Sequence, residues 1–129
     1  TGDPMGRALG RFFVVPPQRS ASANEIKGNA GSRGTVTGVA RVARTLEEAT
    51  HLVQGEILVA VTTMPAWTPL FGIAAAVVTE TGGPLSHCAI VAREYGIPAV
   101  VGAHGATRII ASGQRIAVDG GRGIVTLVE

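Results

Sequence analysis

The sequence predicts an α/β fold, a compact sandwich of mixed sheets with short helices. Three observations predict it. Six short β-branched runs follow one another between glycines from Gly28 onward. Helix start and stop signals fall between several of them. Strands and helices neither alternate strictly nor segregate into blocks, which implies mixed strand directions.

Residues 1–27, "TGDPMGRALGRFFVVPPQRSASANEIK", carry no sustained period of 2 or 3.6 and contain a Pro-Pro pair. They read as a linker or arm whose sticky element is "FFVVPP". Residues 28–129 read as the folded domain. Its first strand is expected in "GTVTGVARV". "TLEEATHLVQG" follows as a short helix, with Thr45 and Glu48 forming a capping box and Gly55 as C-cap. The runs "EILVAV" and "AAVVT" are the next strands, separated by "PAWTPLFG", where Pro65 suits a first helical position and Pro69 limits the helix. Trp67 is expected to pack that helix on the sheet. "SHCAIVAREYG" is the best delimited helix, with Ser86 at the N-cap and Gly96 past its end. The strands "AVVG", "QRIAVDG" and "GIVTLV" complete the set, and "VDGGRGIV" reads as an antiparallel turn in which Asp119 is a turn residue.

Composition narrows the function. Hydrophobic residues make up 46% and charged residues 16% of the 129, the balance of a chain with a real core. A net charge of +2, no Lys/Arg run and 4% aromatics argue against a nucleic-acid partner. The longest apolar stretch, between Phe71 and Val78, is too short for a membrane span. A lone cysteine, Cys88, makes no internal disulfide, so a cytoplasmic setting is expected. The chain starts at Thr1, and it is expected to be part of a larger protein.

The chemistry concentrates in "TETGGPLSHCAIVAREYG", which reads as strand, glycine loop and helix. Free N–H groups at a helix start favour an anion. Gly82 and Gly83 are expected to give the loop positive φ and close approach to a ligand, with Pro84 stiffening its exit. Ser86 then caps the helix and His87 becomes its first residue. A neutral imidazole there can attack phosphorus, and the amides with the Ser86 hydroxyl can hold the resulting phosphoryl group. A histidine near a helix start is also a common solvated or capping side chain, and spacing alone leaves both readings open. Other chemistries fit worse. Ser86 lacks the glycine of a hydrolase elbow two residues on, His87 and Cys88 diverge as helical neighbours, His51 and His104 stand in separate segments, and no Walker lysine motif is present. No metal site is expected.

"GGPLSHCAIVAREYGIPAVVG" closely resembles the signature of the phosphohistidine, or swivelling, domain of the phosphoenolpyruvate-utilising enzymes, a group that includes pyruvate phosphate dikinase, phosphoenolpyruvate synthase, Enzyme I and rifampicin phosphotransferase. The resemblance extends through "GEILVAVTTMPAWTPLFGIAAAVVTE" and "GQRIAVDGGRGIVTL", and so covers Gly28 to Leu127. It implies a β/β/α swivelling domain whose histidine, matched by His87, is transiently phosphorylated and carries the group between active sites on other domains. Thr81, Gly82, Gly83 and Ser86 match the loop expected to hold the phosphoryl group, and Arg93 and Glu94 fall in an "ARE" element open to an ion-pair or docking reading. The partners implied are a nucleotide-binding domain, with ATP and Mg²⁺, and an acceptor-binding domain; no cofactor is expected on this domain itself. Leu85 stands where several members carry threonine, which resembles the rifampicin phosphotransferase-like group. A rival of another class is a docking or regulatory module of the same fold without catalysis.

Overall fold

A nine-residue strand, β3 (Thr35–Ala43), organises the sheet, because its two halves have different partners. The computed structural model describes residues 24–128. Within them β3 is preceded by β1 (Glu25–Lys27) and β2 (Asn29–Ser32), and followed by β4 (Ile57–Ala60), β5 (Ala76–Thr79), β6 (Ala99–Val101), β7 (Arg115–Asp119) and β8 (Ile124–Leu127). Thr35 to Val39 pair antiparallel with β7, whereas Ala40 to Ala43 pair parallel with β4. The order across the sheet is β1-β8-β7-β3-β4-β5-β6-β2.

The two edges of that order, β1 and β2, are consecutive in the chain with only Gly28 between them. The sheet therefore curls until its ends meet. Gly28 donates to the Gly123 carbonyl at 2.8 Å, and Gly120 to that of Gly34 at 2.8 Å. The approach tolerates no side chain at Gly120, where a Cβ would lie 1.8 Å from the Ser32 carbonyl oxygen. Closure leaves few open strand edges, and the two halves face each other as the expected sandwich.

Strand alternation divides the core in two. Ile57 and Val59 of β4, Ala76 and Val78 of β5 and Val100 of β6 face inward, against Ile26, Ile116, Val118 and Val125 of the antiparallel half. Leu58, Ala60, Val77, Ala99 and Val101 point the other way, onto helix α2 (His87–Tyr95) and a 3-10 helix (Pro65–Gly72) that buries Trp67 and Phe71. The result is the β/β/α layering.

Several local expectations hold. Ser86 caps α2, and Gly96 ends it in a left-handed conformation (φ 72°) with the Ile97 amide bonded back to the Ala92 carbonyl. Thr45 Oγ1 accepts from the Glu48 amide, starting α1 (Leu46–Ala49), although Glu48 reaches back to the Arg44 amide. Gly55 is not the C-cap of that helix. Thr50 ends it early, and Gly55 instead makes the turn into β4 with its amide on the Ile73 carbonyl. The Asp119 carboxylate accepts from the Arg122 amide, as a turn residue does.

The arm is where the reading changes. Its last residues form β1, which pairs with β8 from Glu25↔Thr126 to Lys27↔Ile124, so the folded unit begins before Gly28. "FFVVPP" lies outside the described residues. Ile26 is 6% exposed and contributes to the inner core, so Ile26→Ala should destabilise the domain by about 2–4 kcal/mol. Val53→Ala, at a position 57% exposed, should change stability by less than about 0.5 kcal/mol. Urea unfolding of the two variants measures the contrast.

Candidate functional site

The C-terminal ends of β4, β5 and β6 lie side by side, and the loops that leave them bond to one another. Glu80 and Thr81, just past β5, donate from their amides to the Val61 carbonyl past β4, at 3.0 and 3.1 Å. Past β6, the Gly102 amide donates to Thr81 at 3.3 Å and the Ala103 amide to Thr79 at 2.9 Å. Thr79, 1% exposed, turns its hydroxyl onto the Thr81 carbonyl. The Glu80 carboxylate accepts from both the amide and the hydroxyl of Thr107, at the first turn of α3 (Ala106–Ile109). Those bonds, the hydroxyl one foremost, hold its pKa below the usual carboxylate value.

From this base the loop runs to α2. Gly82 has φ +101°, and a Cβ there would fall 2.9 Å from Ser86 Cβ and Oγ. Glycine is required on both counts. The Ser86 amide closes onto the Gly83 carbonyl at 3.0 Å, and Ser86 Oγ accepts from the Ala89 amide at 3.4 Å. The amides of His87 and Cys88 are left without an intrahelical acceptor, as at any helix start.

The His87 ring is half-buried and gripped by the 3-10 helix and the residues leading into it. Its Nδ1 lies 3.0 Å from Thr63 Oγ1 and its Nε2 lies 3.4 Å from Thr68 Oγ1. Phe71 meets the ring edge-on, with centroids 6.2 Å apart and planes at 87°. Thr63 is 6% exposed and Thr68 is half-buried, so Nδ1 faces the interior and Nε2 the rim. Behind the ring, burial pushes the Cys88 thiol up to about 11, against smaller opposing effects of hydrogen bonds with Thr79 and Thr63.

Ser86, Gly82 and Gly83 thus surround the start of the helix that carries His87. Thr81 stands apart from them, because its hydroxyl donates to the Val61 carbonyl at 3.2 Å and anchors the loop. Gly83 does not take the positive φ expected of it, and a Cβ at that position would meet nothing within 4 Å. Arg93 spans two backbone carbonyls, those of Gly31 and Pro84. His51 and His104 are exposed, and among the described residues no group of three His, Cys, Asp or Glu side chains is placed to hold a metal ion. Thr63, Thr68 and Phe71 are the contacts that reading the sequence missed. Thr63 stands just before the 3-10 helix and Thr68 and Phe71 within it, and only tertiary packing brings them to His87.

Two outcomes follow from this geometry. Gly82→Ala should cost on the order of 1–3 kcal/mol through backbone strain and the contact with Ser86, whereas Gly83→Ala should stay within about 0.5 kcal/mol of the parent in urea unfolding. The Cys88 thiol, raised in the folded state from 9.0 to about 11, has roughly a hundredth of the thiolate of a free thiol at pH 8, so iodoacetamide should modify it only after unfolding. The sign is that of a raised pKa. Its contribution to stability is complete below the unfolded thiol's value and declines as pH climbs past it.

Comparison with known proteins agrees with the architecture. A chondramide synthase from Chondromyces crocatus is 53% identical over 126 residues, which is 98% of this chain and 3% of that protein. A rifampicin phosphotransferase from Bacillus cereus is 48% identical over 106 residues, 82% of this chain and 12% of the relative. The chain thus spans a small part of the length of these relatives. A solution structure of an Enzyme I protein superposes with a TM-score of 0.54 at 33% identity, covering 61% of this chain and 33% of that one. No helix among the described residues is long and apolar enough to cross a membrane. Residues 52–123 match the model of the PEP-utilising enzyme mobile domain, a stretch that includes His87 and each side chain that grips its ring; the chain belongs to that family.

Proposed function

We propose that this chain is the mobile phosphoryl carrier of a multidomain, cytoplasmic phosphotransferase, with His87 as the group that is transiently phosphorylated. The observation that carries the proposal is the two-sided grip on the ring. Thr63 takes Nδ1 on the buried side, at 3.0 Å, while Nε2 stands toward the rim at the start of α2.

The chemistry divides accordingly. With its proton on Nδ1 and donated to Thr63 Oγ1, the ring presents the Nε2 lone pair. Nε2 forms a bond to a phosphorus of ATP as the P–O bond to the leaving group breaks, so the leaving group departs with that electron pair and the proton stays on Nδ1. The free amides at the start of α2 and the Ser86 hydroxyl are placed to hold the transferred group, with Gly82 and Gly83 giving it room. In the second half-reaction an acceptor oxygen bonds the phosphorus as the P–Nε2 bond breaks; the bond electrons return to the ring, and the proton of an acceptor hydroxyl passes to a base of the acceptor-binding domain or to solvent.

The other requirements fall to other domains. We place ATP and Mg²⁺ on a nucleotide-binding domain and the acceptor on a further domain of the same enzyme, because positioning and charge neutralisation dominate phosphoryl transfer. The small share of its relatives' length that this chain covers supports such an arrangement. Leu85, in the position where several members carry threonine, favours the rifampicin phosphotransferase-like group, with an alcohol or phenol of a small molecule, water and pyruvate as the acceptors to be tested. A single cysteine that is free and buried fits a cytoplasmic setting.

The test is phosphate labelling. The full-length enzyme with ATP and Mg²⁺ should gain an acid-labile, base-stable label on the peptide containing His87. His87→Ala should abolish that label while cooperative unfolding is retained, and the isolated chain should stay unlabelled with ATP alone. Label persisting on His87→Ala would reassign the nucleophile, and an unlabelled wild-type enzyme would favour a docking module of the same fold.

A further inference from the structure

We infer that Arg93 is a positioning residue for phosphoryl transfer, a clasp that fixes the loop in front of His87 without touching the reacting atoms; the inference rests on the carrier reading above. The loop between Gly82 and Ser86 has little else to hold it. Leu85 is 82% exposed, Pro84 has no N–H to donate, and a Cβ on Gly83 would meet nothing within 4 Å. Apart from the Ser86 amide bond to Gly83, the tie recorded within Gly83–Leu85 is the one from Arg93 Nη2 to the Pro84 carbonyl.

The other end of the clasp is built into the sheet. β2 pairs with β6 through Ala30↔Val100 and Ser32↔Ala99, with a shift of register that leaves Gly31 as the extra residue. Such a bulge withdraws a residue from the ladder. Its carbonyl is taken by Arg93 Nε at 2.9 Å. A planar guanidinium can donate to two carbonyls in a fixed relation, which an ammonium cannot reproduce. The distant edge strand, the C-terminal part of α2 and the loop before its N-terminus are thus locked together by one side chain.

Both of the bonds from Arg93 go to backbone carbonyls, those of Gly31 and Pro84, and neither goes to the His87 ring. Its effect on the chemistry passes through the position of Pro84, Leu85 and Ser86, and hence through the first free amides of α2. A displacement of ~1 Å at such a site costs up to about a hundredfold in rate.

The test uses the full-length enzyme carrying Arg93→Gln and Arg93→Lys. The single-turnover rate of His87 labelling should fall about tenfold or more in Arg93→Gln, with Arg93→Lys between it and wild type, and with KM for ATP unchanged because nucleotide binds elsewhere. Hydrogen exchange should rise at the amides of residues 85–88 and stay unchanged in the strands. If Arg93→Gln does not fold, Arg93→Lys carries the same comparison. A rate within twofold of wild type, or a loss of rate that accompanies raised exchange throughout the domain, would overturn the positioning role. An unlabelled wild-type enzyme would overturn the carrier reading and this inference with it.

Discussion

Parallel pairing of β4, β5 and β6 is the constraint from which the rest of the site follows. Parallel strands end at the same side of a sheet, and what leaves their C-terminal ends is gathered into one crevice. Here those ends deliver Val61 and Thr63 from β4, Thr79 to Thr81 from β5 and Gly102 with Ala103 from β6, already tied to one another by backbone bonds. The pairing needs strands covered on both faces. The antiparallel half supplies one cover, and α2 with the 3-10 helix supplies the other. Closing the sheet at Gly28 is therefore part of building the site, because it brings the antiparallel half over the inner face of the very strands whose ends carry the chemistry.

The contacts of the His87 ring are two hydroxyls and a phenyl edge, none of them charged. The nearby arginine of α2 donates from Nε and Nη2 to the carbonyls of Gly31 and Pro84. In the carrier role we propose, a site that both accepts and surrenders a phosphoryl group gains from this restraint. A fixed cation beside Nε2 would stabilise the phosphorylated state and slow its discharge, since only interactions stronger in the transition state than in the ground state accelerate a step. Amide dipoles and hydroxyls bind an anion more weakly and leave charge neutralisation to whichever partner is engaged.

What was legible in the sequence was local. Ser86 and Gly96 announce the ends of α2 because capping is settled within a few residues, and the six β-branched runs announce six strands because such side chains suit a pleated surface, in β4, β5 and β6 one buried on both faces. Gly55 misled for a related reason. A glycine after a periodic stretch suits a C-cap and a tight turn alike, and Thr50 had already ended the helix. β2 escaped notice because "NAGS" has no strand propensity and owes its conformation to pairing with β6. The partners of the site residues were not legible at all. Thr63 stands 24 residues before His87, Glu80 stands 27 before Thr107, and Gly31 stands 62 before Arg93. Such separations are bridged by the fold alone, so His87 could be singled out in the sequence and the side chains around its ring could not.

The inner and outer sides of the site are built on opposite principles. Inward, Thr79, Cys88 and Thr63 are 1%, 3% and 6% exposed, with the Thr79 hydroxyl on the Thr81 carbonyl and Thr63 Oγ1 3.0 Å from His87 Nδ1. Left unsatisfied, such buried hydroxyls would cost several kcal/mol; bonded, they cost little, and Thr63 fixes the imidazole's orientation. Outward, Leu85 and Met64 are 82% and 60% exposed and make the rim apolar. That exposure contributes nothing to folding. In the carrier role we propose, a rim of this kind gives a partner domain apolar area to cover, which excludes water from the reacting atoms while the partner is docked and readmits it on departure. A rigid inner wall would then keep Nε2 in one place through every visit, and a bare rim would let each visit end.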